Sequence, residues 1–388
     1  MSKLGVTRSD QCSIDVFRSV VEVETDAAAC PSAAELSNGV PVYDAVQLRR
    51  TCDESVGQIS VRQELDHVLS DGPGILVIRG AFEASVIDDA TATFNELIRQ
   101  QNASDEEHGD HFGAPGANDR VWNGLEKLAC ADPEVFVRYY NNDMVSLGAL
   151  AWLGPGYQVS SQINVVNPGG AAQVAHRDYH LGFMTNDQAE AYPLGAHLMS
   201  PRLTLQGAVA HVDMPVESGP TMYLPHSHKY DLGYLAWRSE DFSRYFEQNH
   251  HQVPLSKGDL VYFNPALFHG AGTNQTESVS RMANLMQISS AMARPMESVD
   301  RQRIVNAIYP VLRAMTIDHG VDVRSLGPVL GAACDGYAFP TNLDRDPPLD
   351  GLTPPNQADI VREALCRGWE PQKLATALAD QVERRRSW

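Results

Sequence analysis

Three stretches of this chain set a histidine two positions before an aspartate: His108-Gly-Asp110, His176-Arg-Asp178 and His211-Val-Asp213. An imidazole and a carboxylate on one side of an element can share a metal ion. A mononuclear, oxygen-activating iron site needs two histidines and one carboxylate on one face of the metal, with the other positions open. On an extended strand residues i and i+2 face the same way, roughly 6.6 Å apart, so the second and third triplets both meet that requirement. A bare triplet carries little weight, because 13 histidines in the chain give about one such match by chance. His108 and Asp110 stand in the charged, glycine-rich run SDEEHGDHFGAPGAND (104–119). That run reads as a loop, which holds ligands less precisely than a regular element; His108 and His111 suit a substrate entrance better. Pattern alone does not choose between the two strand triplets. His180 would lie about 13 Å from His176 along an extended strand, too far to share an ion with bonds near roughly 2.1 Å, so it is assigned to the pocket wall.

The elements that must position these groups are mostly short strands. GPGILVIRG (72–80) is a strand bounded by glycines, and residues 83–101 form an amphipathic helix with Ile87, Ala90, Phe94 and Leu97 on one side. Residues 132–154 read as helical. From 157 the pattern changes: YQVSSQINVVN and AAQVAHRDYHLGF are successive strands around a PGG turn, followed by a long loop over 184–201. Strands at 203–214 and 221–227, a helical insert, LVYFNPALFHGAG and a last strand at 280–293 complete the series. Many short strands with Gly/Pro turns predict an antiparallel sandwich or barrel. The organisation expected is an N-terminal extension over 1–58, polar, Ala/Ser-rich and ordered only in part; one β domain over 59–296; and a helical C-terminal extension over 297–388 packed on the core.

Composition narrows the function classes. The 388 residues carry a formal net charge of −19, which disfavours a nucleic-acid grip and an anionic membrane surface, both of which need basic surface. The six cysteines are scattered, with no C-x-x-C pair, so neither a disulfide framework nor a thiolate zinc site is expected. With no signal-peptide pattern and no long apolar run, the cytoplasm is the expected location. Nothing in the sequence indicates an oligomeric state.

From about 60 to 293 the chain resembles the phytanoyl-CoA dioxygenase family of iron(II)- and 2-oxoglutarate-dependent oxygenases. SGPTMYLPHSHK (218–229) resembles the family's Asn-Gly-Ala-Thr-Arg-x-x-Pro-Gly-Ser-His signature. KGDLVYFNPALFHGAG (257–272) resembles its Gly-Asp strand leading to the distal metal histidine, and Gln173 with His176-Arg-Asp178 resembles its Gln-x-x-His-x-Asp clamp. The resemblance implies a mainly β fold with flanking helices around a double-stranded β-helix (jelly-roll, cupin-like) core. It implies iron(II) on His176, Asp178 and His269, with 2-oxoglutarate and O2 as cosubstrates, and it demotes His211. It further implies Arg281, twelve positions after His269, as the anchor of the far 2-oxoglutarate carboxylate, with Thr221 and Gln173 beside the same cosubstrate. An arginine suits that task because its fixed fork of donors matches a carboxylate.

The reaction expected is hydroxylation of an unactivated C–H with release of succinate and CO2. Desaturation, epoxidation or rearrangement would use the same site, whereas the carboxylate at Asp178 speaks against halogenation, for which relatives place a small residue there. Other readings are a metal-dependent non-oxygenase or a non-catalytic binding protein on the same fold. No Lys/Arg cluster near the strand motifs suggests a CoA phosphate site, so the expected substrate is a small organic metabolite such as an amino-acid derivative or natural-product intermediate. The expected pocket residues are Asn164, Arg177, Tyr179, His180, His108, His111 and Trp122.

Overall fold

The computed structural model describes residues 7–103, 118–349 and 351–388. His108 and His111 therefore lie outside the described residues. The strands are β1 (Glu35–Ser37), β2 (Val40–Asp44), β3 (Ile75–Arg79), β4 (Asn118–Val121), β5 (Gln158–Val166), β6 (Thr204–Ala210), β7 (Met222–Leu224), β8 (His251–Gln252), β9 (Leu260–Phe263), β10 (Phe268–Gly270) and β11 (Arg281–Ser289). Eight of them form one sheet in the order β1-β2-β3-β9-β6-β11-β5-β4, and β10-β7-β8 form a second. All pairings are antiparallel except β2 with β3. The two sheets enclose the inner face of a jelly-roll core, and helices cover the outer face of the large sheet.

The central strands are apolar throughout because both faces are buried. In β9, Leu260 and Tyr262 join the cluster under the helices, while Val261 and Phe263 join the one between the sheets. β3 alternates in the same way: Leu76 and Ile78 point to the helices, and Ile75 and Val77 to the inner cluster with Tyr223, Val253 and Leu267. Helix periodicity is equally legible. In the helix Ala84–Ala103, Ile87, Ala90 and Phe94 are buried on the face their three- and four-residue spacing defines.

Four expectations are corrected or refined. Residues 7–58 are more ordered than their polar character suggests: β2 is an interior strand of the large sheet, and Phe17 of the helix Ile14–Val21 is fully buried against Tyr230, Phe242, Tyr245 and Phe268. The segment 132–154 is helical as expected but is divided into two helices, Pro133–Tyr140 and Asp143–Leu153. The Asn142 side chain accepts from the amides of Met144 and Val145, and this cap starts the second helix. The loop over 184–201 contains short helices, Asn186–Glu190 and Leu194–Met199.

The fourth correction bears on the site: AAQVAHRDYHLGF is not a strand. It meets β10 at one isolated bridge, His176 to His269, with amide–carbonyl distances of 2.9 and 3.1 Å in the two directions. The flanking contacts, Gln173 to Ala271 and Asp178 to Pro265, do not keep that register, so no ladder propagates. After Asp178 the chain turns sharply, with Tyr179 at φ 63° and His180 at φ 45°, a left-handed conformation that side chains of this size rarely adopt. The turn leads into a short 3-10 helix, His180–Phe183. The helix Arg301–Ile317, the first of the C-terminal region, buries Ile304, Val305, Ile308, Tyr309 and Leu312 in the same cluster as Val159 and Ile163 of β5. Among the described residues no helix is long and apolar enough to cross a membrane.

Candidate metal centre and its cavity

His176, Asp178 and His269 come together although 91 positions separate the two ends of the clamp-to-distal interval from Asp178 to His269. One ligand atom from each lies within 4.8 Å of the others. His176 Nε2 is 3.7 Å from Asp178 Oδ1, and His269 Nε2 is 3.4 Å from Asp178 Oδ2. The two rings stand 4.4 Å apart between centroids. Each histidine places Nδ1 2.9 Å from the carbonyl two residues before it, Val174 and Leu267 respectively. An Nδ1–H held by a carbonyl leaves Nε2 as the metal-facing lone pair. Two nitrogens and one carboxylate at this spacing suit an ion with bonds near roughly 2.1 Å, and the donor set is that of a non-heme iron(II) site.

The electrostatics follow from the packing. Burial and the neighbouring His269 hold the His176 imidazole below its ordinary range, which favours the neutral, ligating form. Burial alone would raise the Asp178 carboxyl, but His176, His269 and a hydrogen bond from the Gln206 amide outweigh it and hold it well below the usual carboxylate range.

The three groups open into a cavity of about 560 Å³ between the sheets. Arg281, at the start of β11, lines it as well; its guanidinium is buried and donates to the carbonyls of Ser218 at 3.1 Å and Gly272 at 3.4 Å. No carboxylate lies within ion-pair distance of it among the described residues, and burial lowers it to about 10. It remains a cation at neutral pH whose charge no described residue neutralises, the environment a small carboxylate ligand requires. Thr221 and Gln173 line the same cavity, with Gln173 Oε1 accepting from the Ala271 amide at 3.2 Å.

The expected pocket residues divide. Asn164 and Trp122 line the cavity, with Arg120 donating to Asn164 Oδ1 at 3.3 Å and stacking over Trp122. Arg177 contributes to the wall, but its guanidinium turns inward to the carbonyls of Ser227 and Tyr230, between the Tyr234 and Phe268 rings. It packs so closely on Gly233 that a Cβ there would come within 1.9 Å of the guanidinium carbon. Arg177 thus braces the fold from its place in the cavity wall. Tyr179 is buried behind the wall, its hydroxyl 2.9 Å from the sulfur of Met296, which does line the cavity. His180 is corrected too: the turn after Asp178 carries it out of the cavity wall, and its Nδ1 lies 3.3 Å from Ser200 Oγ.

The rival triplet is resolved by its partners. His211 is fully buried, with Nδ1 2.8 Å from Thr91 Oγ1 and Nε2 2.9 Å from the Tyr139 hydroxyl, while Asp213 accepts from the Lys257 amide. Sequence reasoning missed Gln206, Gln287, Gln162 and Arg120, which all line the cavity. A signal existed for Gln206, a long polar side chain inside the otherwise small and apolar run TLQGAVA.

Known proteins resemble this chain in part. The dioxygenase olcK of Penicillium canescens is 30% identical over 170 residues, 41% of this chain and 49% of that one. The dioxygenase trt7 of Aspergillus terreus is 28% identical over 124 residues, 31% of this chain and 37% of that one. The chain thus aligns with less than half the length of either relative. Among solved structures, HygX from Streptomyces hygroscopicus, with nickel, 2-oxoglutarate and hygromycin B bound, is similar at a TM-score of 0.44 and 18% identity, covering 61% of this chain and 90% of that one. Residues 70–283, more than half of the chain, match the family model of phytanoyl-CoA dioxygenase (PhyH), and the chain belongs to that family.

Proposed function

We propose that the protein is an iron(II)- and 2-oxoglutarate-dependent dioxygenase that hydroxylates an unactivated C–H of a small organic metabolite, releasing succinate and CO2. The observation that carries this reading is one cavity holding both a His176–Asp178–His269 cluster and the un-neutralised buried cation of Arg281. When bound, iron(II) with 2-oxoglutarate and O2 supplies the oxidant for C–H attack. The chain's own residues do the positioning. His176, Asp178 and His269 hold the metal; Arg281 takes the far carboxylate of 2-oxoglutarate, with Thr221 and Gln173 beside it. Leu285, Ala283, Ala208 and Met286 give the cavity apolar walls that exclude water from the reacting centre. A volume of about 560 Å³ falls in the range of small-molecule sites.

A metal-dependent non-oxygenase has no use for a buried guanidinium without a counter-ion, and that observation ranks it second. The deciding experiment incubates the protein with iron(II), ascorbate, 2-oxoglutarate and air, without added substrate, and measures succinate. Slow uncoupled formation is expected, lost in His176→Ala and Asp178→Ala; no succinate from the wild-type protein would overturn the reading. Product mass then separates hydroxylation from desaturation, epoxidation or rearrangement.

A further inference from the structure

The inner face of the large sheet carries a row of amides with unequal partners. Successive inward positions place Gln162 and Asn164 on β5, Gln287 on β11 and Gln206 on β6, and all four line the cavity. Arg120 satisfies the first two, donating to Gln162 Oε1 at 3.1 Å and to Asn164 Oδ1 at 3.3 Å. Gln206 and Gln287 differ: both Oε1 atoms are buried and receive no hydrogen bond from any described residue. The two glutamines are directly paired across the β6–β11 ladder, so their side chains stand within reach of one group, roughly 5 Å apart at Cβ.

The orientation of Gln206 is fixed by chemistry. Its Nε2 donates to Asp178 Oδ2, and an ionised carboxylate can only accept. Its Oε1 must therefore be the free end, an acceptor one residue removed from the metal cluster. On one side of the pair, Ala208 and Leu285 occupy the adjacent inward positions of the same two strands and line the cavity; on the other side stand the paired Thr204 and Ser289, whose buried hydroxyls also lack a partner among the described residues but do not line the cavity.

We infer that Gln206 and Gln287 form a donor-reading pair, and that the substrate is a largely apolar molecule presenting a hydroxyl or N–H to it beside the metal. This deepens the oxygenase reading and rests on it in calling the bound molecule a substrate. Gln206 then has two tasks: one end of its amide orients Asp178, and the other reads the substrate. A site built to receive a hydroxyl rejects the analogue that lacks it, because the buried acceptors are left unpaired.

The test uses the iron(II)-loaded protein with 2-oxoglutarate under argon, where nothing turns over. Quenching of intrinsic tryptophan fluorescence is followed, Trp122 and Trp237 lining the cavity, while matched probes are titrated: decahydro-2-naphthol, 2-adamantanol and cyclododecanol, each against its methyl ether. At least one alcohol should bind about tenfold tighter than its ether, the size expected for an acceptor left unpaired. Gln287→Leu should abolish that preference, and Gln287→Glu, which keeps an acceptor, should retain it. Absence of the preference from all wild-type pairs, including failure of every alcohol to bind, overturns the inference. So does a preference that survives in both Gln287→Leu and Gln206→Leu. Circular dichroism reports folding, and if Gln287→Leu does not fold, Gln287→Met and the wild-type pairs decide. The substrate-free succinate assay is run beside it. Its failure with the preference intact would sink the oxygenase reading alone; succinate without the preference would sink only the donor-reading pair.

Discussion

His176 opens into the cavity between the two sheets, whereas His211, just past the end of β6, is enclosed between the large sheet and the helices Ala84–Ala103 and Pro133–Tyr140. Both are followed two positions later by aspartate. The difference lies in what remains for a metal. One nitrogen of His176 is held by a carbonyl and the other points at Asp178 and His269. Both nitrogens of His211 already face protein hydroxyls, and its aspartate is turned to a backbone amide. A histidine becomes a candidate ligand when the fold leaves one nitrogen unspent beside other donors, and a buried structural residue when it does not.

The strongest way to break this comparison is to remove either histidine and measure metal. His176→Ala, Asp178→Ala and His269→Ala should each lower iron(II) affinity in an anaerobic titration by more than the roughly 100-fold upper range for groups one shell further out, while His211→Ala leaves it unchanged. Loss of binding in His211→Ala with the fold intact would erase the distinction. Next in size, Arg281→Ala should raise the 2-oxoglutarate requirement roughly 10- to 100-fold, the equivalent of about 1.5–3 kcal/mol for a charged hydrogen bond. An unchanged requirement would move the cosubstrate elsewhere.

For His211 the expected effect is on stability. His211→Ala leaves the Tyr139 and Thr91 hydroxyls without this partner and should cost about 1–3 kcal/mol in urea unfolding; an unaltered midpoint would remove the structural role. The smallest effect is in pH. Burial depresses His211 and His228 to about 3, against about 6.5 in the unfolded chain. Between those values the unfolded state binds more protons, so this contribution is complete above pH 6.5 and is lost as pH falls toward 3. The slope is at most about 1.4 kcal/mol per pH unit for each histidine. Unfolding free energy measured at pH 7 and pH 5 should fall accordingly, and less so in His211→Ala.

Part of the molecule is legible from local pattern. The burial of Ile87, Ala90 and Phe94 follows from helix spacing, and the strands around Ile75–Arg79 and Leu260–Phe263 follow from short apolar runs bounded by turns. The His176, Asp178 and His269 set was implied by the family resemblance of several motifs in order along the chain, not by local pattern. The segment around His176 was misread as a strand because its residues alternate suitably, yet extended structure persists only where a neighbour keeps register, and here β10 meets it at one bridge. Phe17 and β2 were undervalued for the converse reason: their apolar positions are too sparse to form a periodic window, but each finds a distant partner.

By itself the sequence determined the donor types, the order of the motifs, the acidic balance and the periodicities that make sheet and helix. These are properties of residue chemistry and near-neighbour spacing. The tertiary structure decided which His-x-Asp pair faces a third donor, that Arg177 turns inward while Arg281 meets no carboxylate among the described residues, and that Gln206 pairs with Gln287 beside Asp178. Those outcomes depend on contacts between positions tens of residues apart, set by strand order and register, which no local pattern encodes.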